Sequence, residues 1–153
     1  STVRNKGVTY FLAMIHRSRR ILKRVIKEHA GDIVKFETDN AFAFFENPAD
    51  AIRAALQVMR ELREDNKNRH EDEHVNLGIG IDYGPLLMVG EGDYFGDPVN
   101  TASKLGEDLA DNRDAFVTER ALEKSGLEID GLVHKTKMIS DIEIRYAELP
   151  IPR

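Results

Sequence analysis

Apolar residues recur along this chain with a helical period in some stretches and a strand period in others. From Val8 to His29, the residues Val8, Phe11, Leu12, Ile15, Leu22, Val25 and Ile26 fall at helical spacing. Arg17, Arg19, Arg20, Lys23, Arg24 and Lys27 fill the other faces, which predicts one long amphipathic helix ended by Ala30 and Gly31. Two short β-rich runs follow, Ile33 to Glu37 and Ala41 to Phe45, around the turn formers Thr38, Asp39 and Asn40. They predict a hairpin with Asp39 at its tip and with Lys35 and Glu37 facing away from Val34 and Phe36. Asn47 and Pro48 open a second helix, carried by Ile52, Ala55, Leu56, Met59 and Leu62, which fades into the charged connection Glu64 to His74. Val75, Leu77, Ile79 and Ile81 then alternate with Asn76, Gly78, Gly80 and Asp82, the period of a half-buried strand. A tight turn at Tyr83 to Pro85 leads to a further strand, Leu86 to Val89.

The stretch from Met88 to Leu105 has the character of a ligand loop. Gly90, Gly92 and Gly96 allow sharp turns or close backbone approach and present Asp93 and Tyr94 between them. Asp97 before Pro98 marks a helix start, because the carboxylate accepts orphan N–H groups and proline gives up a donor without a partner. On that helix Asn100 and Lys104 share one face, beside the apolar stripe Val99, Ala102, Leu105 and Leu109. Ala115 to Val117 reads as a strand, Glu119 to Lys124 as a short helix, and Leu132 to Lys137 with Ile142 to Leu149 as a terminal hairpin. This order implies an α+β fold, an antiparallel sheet with helices mainly on one face. If a first strand precedes Ser1, the core is a ferredoxin-like βαββαβ unit.

Length and composition narrow the picture. The 153 residues make a single domain, 1–153, with 41% apolar and 32% charged residues. A chain that begins with Ser1 rather than Met is expected to be part of a longer one. No apolar run approaches the roughly 20 residues of a membrane-spanning helix, and no signal peptide is evident. The lack of cysteine removes disulfides and thiolate metal sites and fits a cytoplasmic location. A net charge of −5 argues against nucleic acid as a partner. The basic residues between Arg17 and Lys27 read as a solvated helix face. HEDEH, His70 to His74, matches a zinc-protease pattern in letters only, because it lacks apolar helix flanks and abuts a strand.

Three blocks, GDIVKFETDNAFAFFENPADAIRAA, VNLGIGIDYGPLLMVG and DYFGDPVNTASKLGEDLA, together resemble the class III nucleotide cyclase catalytic domain, the family of adenylate and guanylate cyclases. The resemblance implies a head-to-tail homodimer that binds ATP at its interface and converts it to 3′,5′-cyclic AMP and pyrophosphate with two divalent metals per site, Mg2+ or Mn2+. By the same resemblance Asp39 is a metal ligand, Lys35 and Asp93 read the purine, and Asn100 orients the ribose. Lys104 stands where the family usually has a transition-state arginine, and Lys137 matches the lysine on the triphosphate. The purine readers would come from one protomer and the metals from the other, giving two composite sites. The pair Lys35 and Asp93 resembles the adenine-reading pair: lysine donates to adenine N1 and the carboxylate accepts from the exocyclic amine. The resemblance leaves room for a sensor or membrane domain attached outside this segment.

Three positions depart from the family pattern. Its first metal aspartate lies on a strand just before the first helix, and nothing from Ser1 to Lys6 supplies it, so it is expected upstream of Ser1. Thr38 replaces a glycine before Asp39, and Lys104 offers a point charge where arginine offers a planar fork. The alternative reading is a catalytically silent cyclase-homology domain that binds nucleotide or dimerises to regulate an attached module. A diguanylate cyclase would show a GGDEF-like hairpin tip where this chain has ETDN.

Overall fold

Strand β1 (Thr2–Ile15) sits in the middle of the sheet, where the apolar spacing predicts a helix. The computed structural model describes residues 2–15, 19–37, 39–89, 93–95, 97–106, 114–139 and 141–151. β1 pairs antiparallel with β3 (Asn40–Phe45) on one side and with β4 (Leu77–Val89) on the other. From Phe11 to Ala13 both its faces are covered: Phe11 and Ala13 enter the main core, while Leu12 packs on the opposite side with Phe42 and Ala102. A strand buried on both faces is apolar at consecutive positions, and Val8, Phe11, Leu12 and Ile15 are the subset that mimics a helical stripe. The helix itself, α1 (Arg19–Glu28), starts only at Arg19 and buries Leu22, Val25 and Ile26. The first strand expected upstream of Ser1 is therefore β1.

With β2 (Asp32–Glu37) and α2 (Pro48–Asn66), the succession β1-α1-β2-β3-α2-β4 is a βαββαβ unit with spatial order β2-β3-β1-β4, the ferredoxin-like arrangement. The sheet continues through β6 (Ala115–Thr118), parallel to β4, then β8 (Ile142–Glu148) and β7 (Val133–Ile139). β5 (Asp93–Phe95) pairs with β4 inside the expected ligand loop. Gly90, Gly92 and Gly96 lie outside the described residues, as does Leu109.

No turn separates Leu86–Val89 from the preceding strand. β4 runs unbroken through Tyr83, Gly84 and Pro85, which pair with Thr9, Val8 and Gly7. Pro85 is tolerated because it stands at the register shift between Arg4 and Gly7, where the ladder is already interrupted. A second shift, between Ile33 and Lys35, alters the expected alternation in β2. Ile33 and Phe36 face the main core, whereas Val34 joins Phe42 and Val99 on the other side.

α1, α2 and α4 (Glu119–Ser125) cover one face of the sheet. Asn47 caps α2 by accepting from the Ala49 N–H at 2.9 Å. α1 is tied to α2 by Arg24, which pairs with Glu28 and Glu61, while Gln57 Nε2 donates to Glu61 at 2.8 Å. The Gln57 hydrogen bond and the Arg24 guanidinium hold the Glu61 carboxyl below the usual carboxylate range, against the opposing effect of burial. His70 and His74 flank a short 3-10 turn, Glu71–Glu73, so they share no α-helical face, consistent with a loop reading of HEDEH.

Among the described helices α3 (Asp97–Lys104) takes the opposite face, and it does so at backbone contact. A Cβ at Gly80 would overlap the Ala102 carbonyl oxygen and lie 2.6 Å from the Gly106 nitrogen. The glycine-alternating stretch Gly78, Gly80, Asp82 is thus buried under a helix, not exposed as its polar period suggests. Gly80→Ala is expected to lower unfolding stability by about 1–3 kcal/mol through overpacking. An unchanged urea midpoint would show that α3 is not seated on the β4 backbone.

Candidate functional site

α3 carries its polar residues outward because its opposite side is pinned. Ala102 and Leu105 are fully buried, and that fixes Asn100 and Lys104 one turn apart on the exposed side. They line a cleft of about 760 Å³ together with Thr101, Ser103, Arg120 and Arg145. Its far wall is the β7–β8 arm, contributing Ile139, Ile142 and Ile144. Lys137 sits on that arm opposite Ile144 in the register and is exposed, but it does not line the cleft.

The floor contains a polar group that sequence reasoning missed. Asp82, 0% exposed, accepts from Thr118 Oγ1 at 2.5 Å, Arg120 Nε at 2.8 Å and Arg120 Nη2 at 2.5 Å. Thr118 Oγ1 also accepts from the Ala121 N–H at 3.3 Å, capping α4. Gly84 leaves the space for this lock: a Cβ there would lie 3.0 Å from Pro98 Cγ and 3.4 Å from Arg120 Cζ. One carboxylate thereby ties β4, β6 and α4 together directly beneath the start of α3. The available signal was a charged residue inside an otherwise apolar and glycine strand. Its partners lie far along the chain, so no local period reveals them.

The other predicted residues lie on different elements. Asp39 is exposed at the β2–β3 turn, as expected. Lys35 projects beside it on β2, half-buried, with Nζ 3.0 Å from Glu37 Oε1 and 5.3 Å from the Phe42 ring centroid. Asp93 opens β5, its backbone paired with Val89, and its side chain lies outside the described residues. Within one chain, then, Asn100 and Lys104 share a cleft, while Lys35 and Asp39 belong to the hairpin at the other edge of α3.

Could these residues hold a pair of divalent ions? Among the described residues no three His, Cys, Asp or Glu side chains converge to hold a metal. Asp39 has the right chemistry, a hard oxygen donor. The strand that should carry its partner is β1, and from Ser1 to Lys27 the chain contains no Asp or Glu. Among the described residues the donor set does not fit two metals.

Comparison with known proteins gives the fold directly. A protein of Rhizobium meliloti (strain 1021) with the provisional name adenylate cyclase 3 is 30% identical over 108 residues, 71% of this chain. The match spans 18% of that relative's length. Among solved structures, an adenylate/guanylate cyclase/hydrolase from Silicibacter pomeroyi has a TM-score of 0.82 at 22% identity, covering 98% of this chain and 99% of the other. The adenylyl cyclase CyaB from P. aeruginosa has a TM-score of 0.76 at 15% identity, covering 100% and 98%. Guanylyl cyclases are also among the structural neighbours. No family model matches the chain. The chain has the catalytic-domain fold of the class III adenylate and guanylate cyclases.

The Asp82 lock gives a directional prediction. Arg120→Ala leaves a buried carboxylate with one hydroxyl partner and should cost about 3 kcal/mol, whereas adding Asp82→Asn to it should recover part of that loss. Urea denaturation of the single and double variants measures this, and equal stability of Arg120→Ala and wild type would refute the lock.

Proposed function

We propose that this chain is a class III cyclase-type domain that takes up ATP in clefts shared by two copies of itself. The observation that carries the reading is the placement of Asn100 and Lys104, side by side on a helix pinned to β4 and open to a cleft. A packed core needs neither residue at those exposed positions. Two-fold pairing would bring the hairpin edge of one copy, with Asp39, against the α3 cleft of the other, completing two equivalent sites.

In such a site each residue has a definable task. Lys35 Nζ donates to adenine N1, and the Asp93 carboxylate accepts from the 6-amino group. Guanine presents the opposite donors and acceptors and would leave both unpaired, so the pair selects ATP over GTP. Asn100 hydrogen-bonds the ribose and sets the position of its 3′-hydroxyl. Lys104 places a cation near the α-phosphate, where negative charge grows during attack. Lys137, exposed on β7 beside the cleft, would meet the outer phosphates of a nucleotide bound between two copies.

Closing ATP to 3′,5′-cyclic AMP requires the 3′-oxygen to lose its proton and attack the α-phosphorus as pyrophosphate leaves. In adenylate cyclases two divalent ions supply the activation and charge neutralisation for this step. Because the donor set here does not fit that pair, the function best supported is nucleotide binding coupled to dimerisation, regulating whatever module is joined to the domain. A second reading, a self-sufficient adenylate cyclase of cytoplasmic location, rests on the retention of Asp39, Asn100 and Lys104 together.

Two measurements separate these. Equilibrium binding should show ATP preferred over GTP, with Lys104→Ala weakening ATP by roughly tenfold or more, the loss of one charge-assisted hydrogen bond. Lys35→Glu with Asp93→Cys should erase the base preference, and an unchanged ATP-to-GTP ratio would remove those two residues from the site. Incubation with ATP and Mn2+ should yield no cyclic AMP above a heat-denatured control; steady production would instead favour the self-sufficient enzyme.

A further inference from the structure

We infer that this domain binds its nucleoside triphosphate as the metal-free anion, with side-chain cations of α1 doing the neutralising that a divalent-ion pair does elsewhere. The inference rests on the nucleotide reading above and deepens it. Its starting point is the location of β1. In the register, Met14 pairs with Asn40, the residue immediately after Asp39, and β1 leads directly to α1. The strand end that the resemblance assigns to a second metal carboxylate is therefore present in the chain, and it reads Ala13, Met14, Ile15.

The surrounding charge has the wrong sign for a cation site. The first acidic residue of the chain is Glu28, at the far end of α1, where it is paired with Arg24 at 3.2 Å. The near end of α1 is cationic. Arg19 Cζ lies 4.7 Å and Lys23 Nζ 5.5 Å from the ring centroid of Phe36, in the strand that leads to Asp39. Arg20, Lys23, Arg24 and Lys27 line a surface concavity of about 450 Å³ that runs from this end along α1, where Arg24 is already paired with Glu28 and Glu61. Asp39 at an exposed turn, with its neighbour Glu37 already paired to Lys35 at 3.0 Å, holds Mg2+ or Mn2+ poorly, because these ions give up water reluctantly and the α1 cations repel them. The same potential attracts a triphosphate.

The test uses the intact chain and reads binding, not turnover. ATP is titrated calorimetrically in EDTA and in excess Mg2+, and Mn2+ alone is titrated by electron paramagnetic resonance of the free ion. The expected results are ATP affinities within about twofold of each other in the two buffers and no Mn2+ bound by wild type. Arg19→Gln with Lys23→Gln should weaken ATP by about tenfold and leave adenosine unchanged. Met14→Asp, which puts a carboxylate at the β1 position paired with Asn40, should gain Mn2+ binding that Asp39→Asn abolishes. Should Met14→Asp fail to fold, the wild-type titrations still decide. Tenfold tighter ATP binding in Mg2+, or wild-type Mn2+ binding lost in Asp39→Asn, overturns the inference alone. Absence of ATP binding in both buffers overturns the nucleotide reading, and the inference falls with it.

Discussion

The burial of β1 on both faces from Phe11 to Ala13 is the constraint from which the remaining architecture follows. A strand paired on both edges and covered on both faces fixes what lies above and below it. Phe11 and Ala13 fix the three-helix layer on one side; Leu12 fixes α3 on the other through Ala102. Once α3 is held there, the glycine at position 80 lets it settle onto the β4 backbone, and its outward residues become the cleft wall. The site is thus a consequence of packing: Asn100 and Lys104 are exposed because Ala102 and Leu105 are fully buried.

Beneath that cleft the Asp82 cluster supplies rigidity of a different kind. A fully buried carboxylate is tolerable only when its oxygens are satisfied, and here Thr118 and Arg120 both donate. The side chains come from β6 and α4, so the cluster joins the parallel pair β4–β6 to the helix that follows. Specificity of placement, more than net stability, is what such a group contributes. It keeps the start of α3 in register with the β7–β8 arm across the cleft.

The parts of the fold legible in the sequence were those with local punctuation at their ends. The β2–β3 hairpin follows from its turn residues, and α2 and α3 from Asn47-Pro48 and Asp97-Pro98 at their starts. β1 was not legible, since two-sided burial erases the alternation that marks a strand. The single long β4 was hidden because glycine and proline punctuate locally, while a register shift in the neighbouring strand makes Pro85 harmless. Of the candidate residues, Asn100 and Lys104 fall together as their spacing implies, and Asp39 falls at its turn. The displaced first strand changes the chemistry most: it brings the expected metal-bearing position inside the chain and shows it filled by an apolar sequence.

In the proposed assembly two copies of this chain form the nucleotide site between them. Sedimentation velocity of the purified chain, monitored at the protein absorbance and at that of a chromophoric ATP analogue, tests this most directly. The analogue should travel with a dimer at one molecule per protomer and raise the dimer fraction as its concentration rises. An analogue that sediments with monomer, or a dimer that carries none, would contradict it.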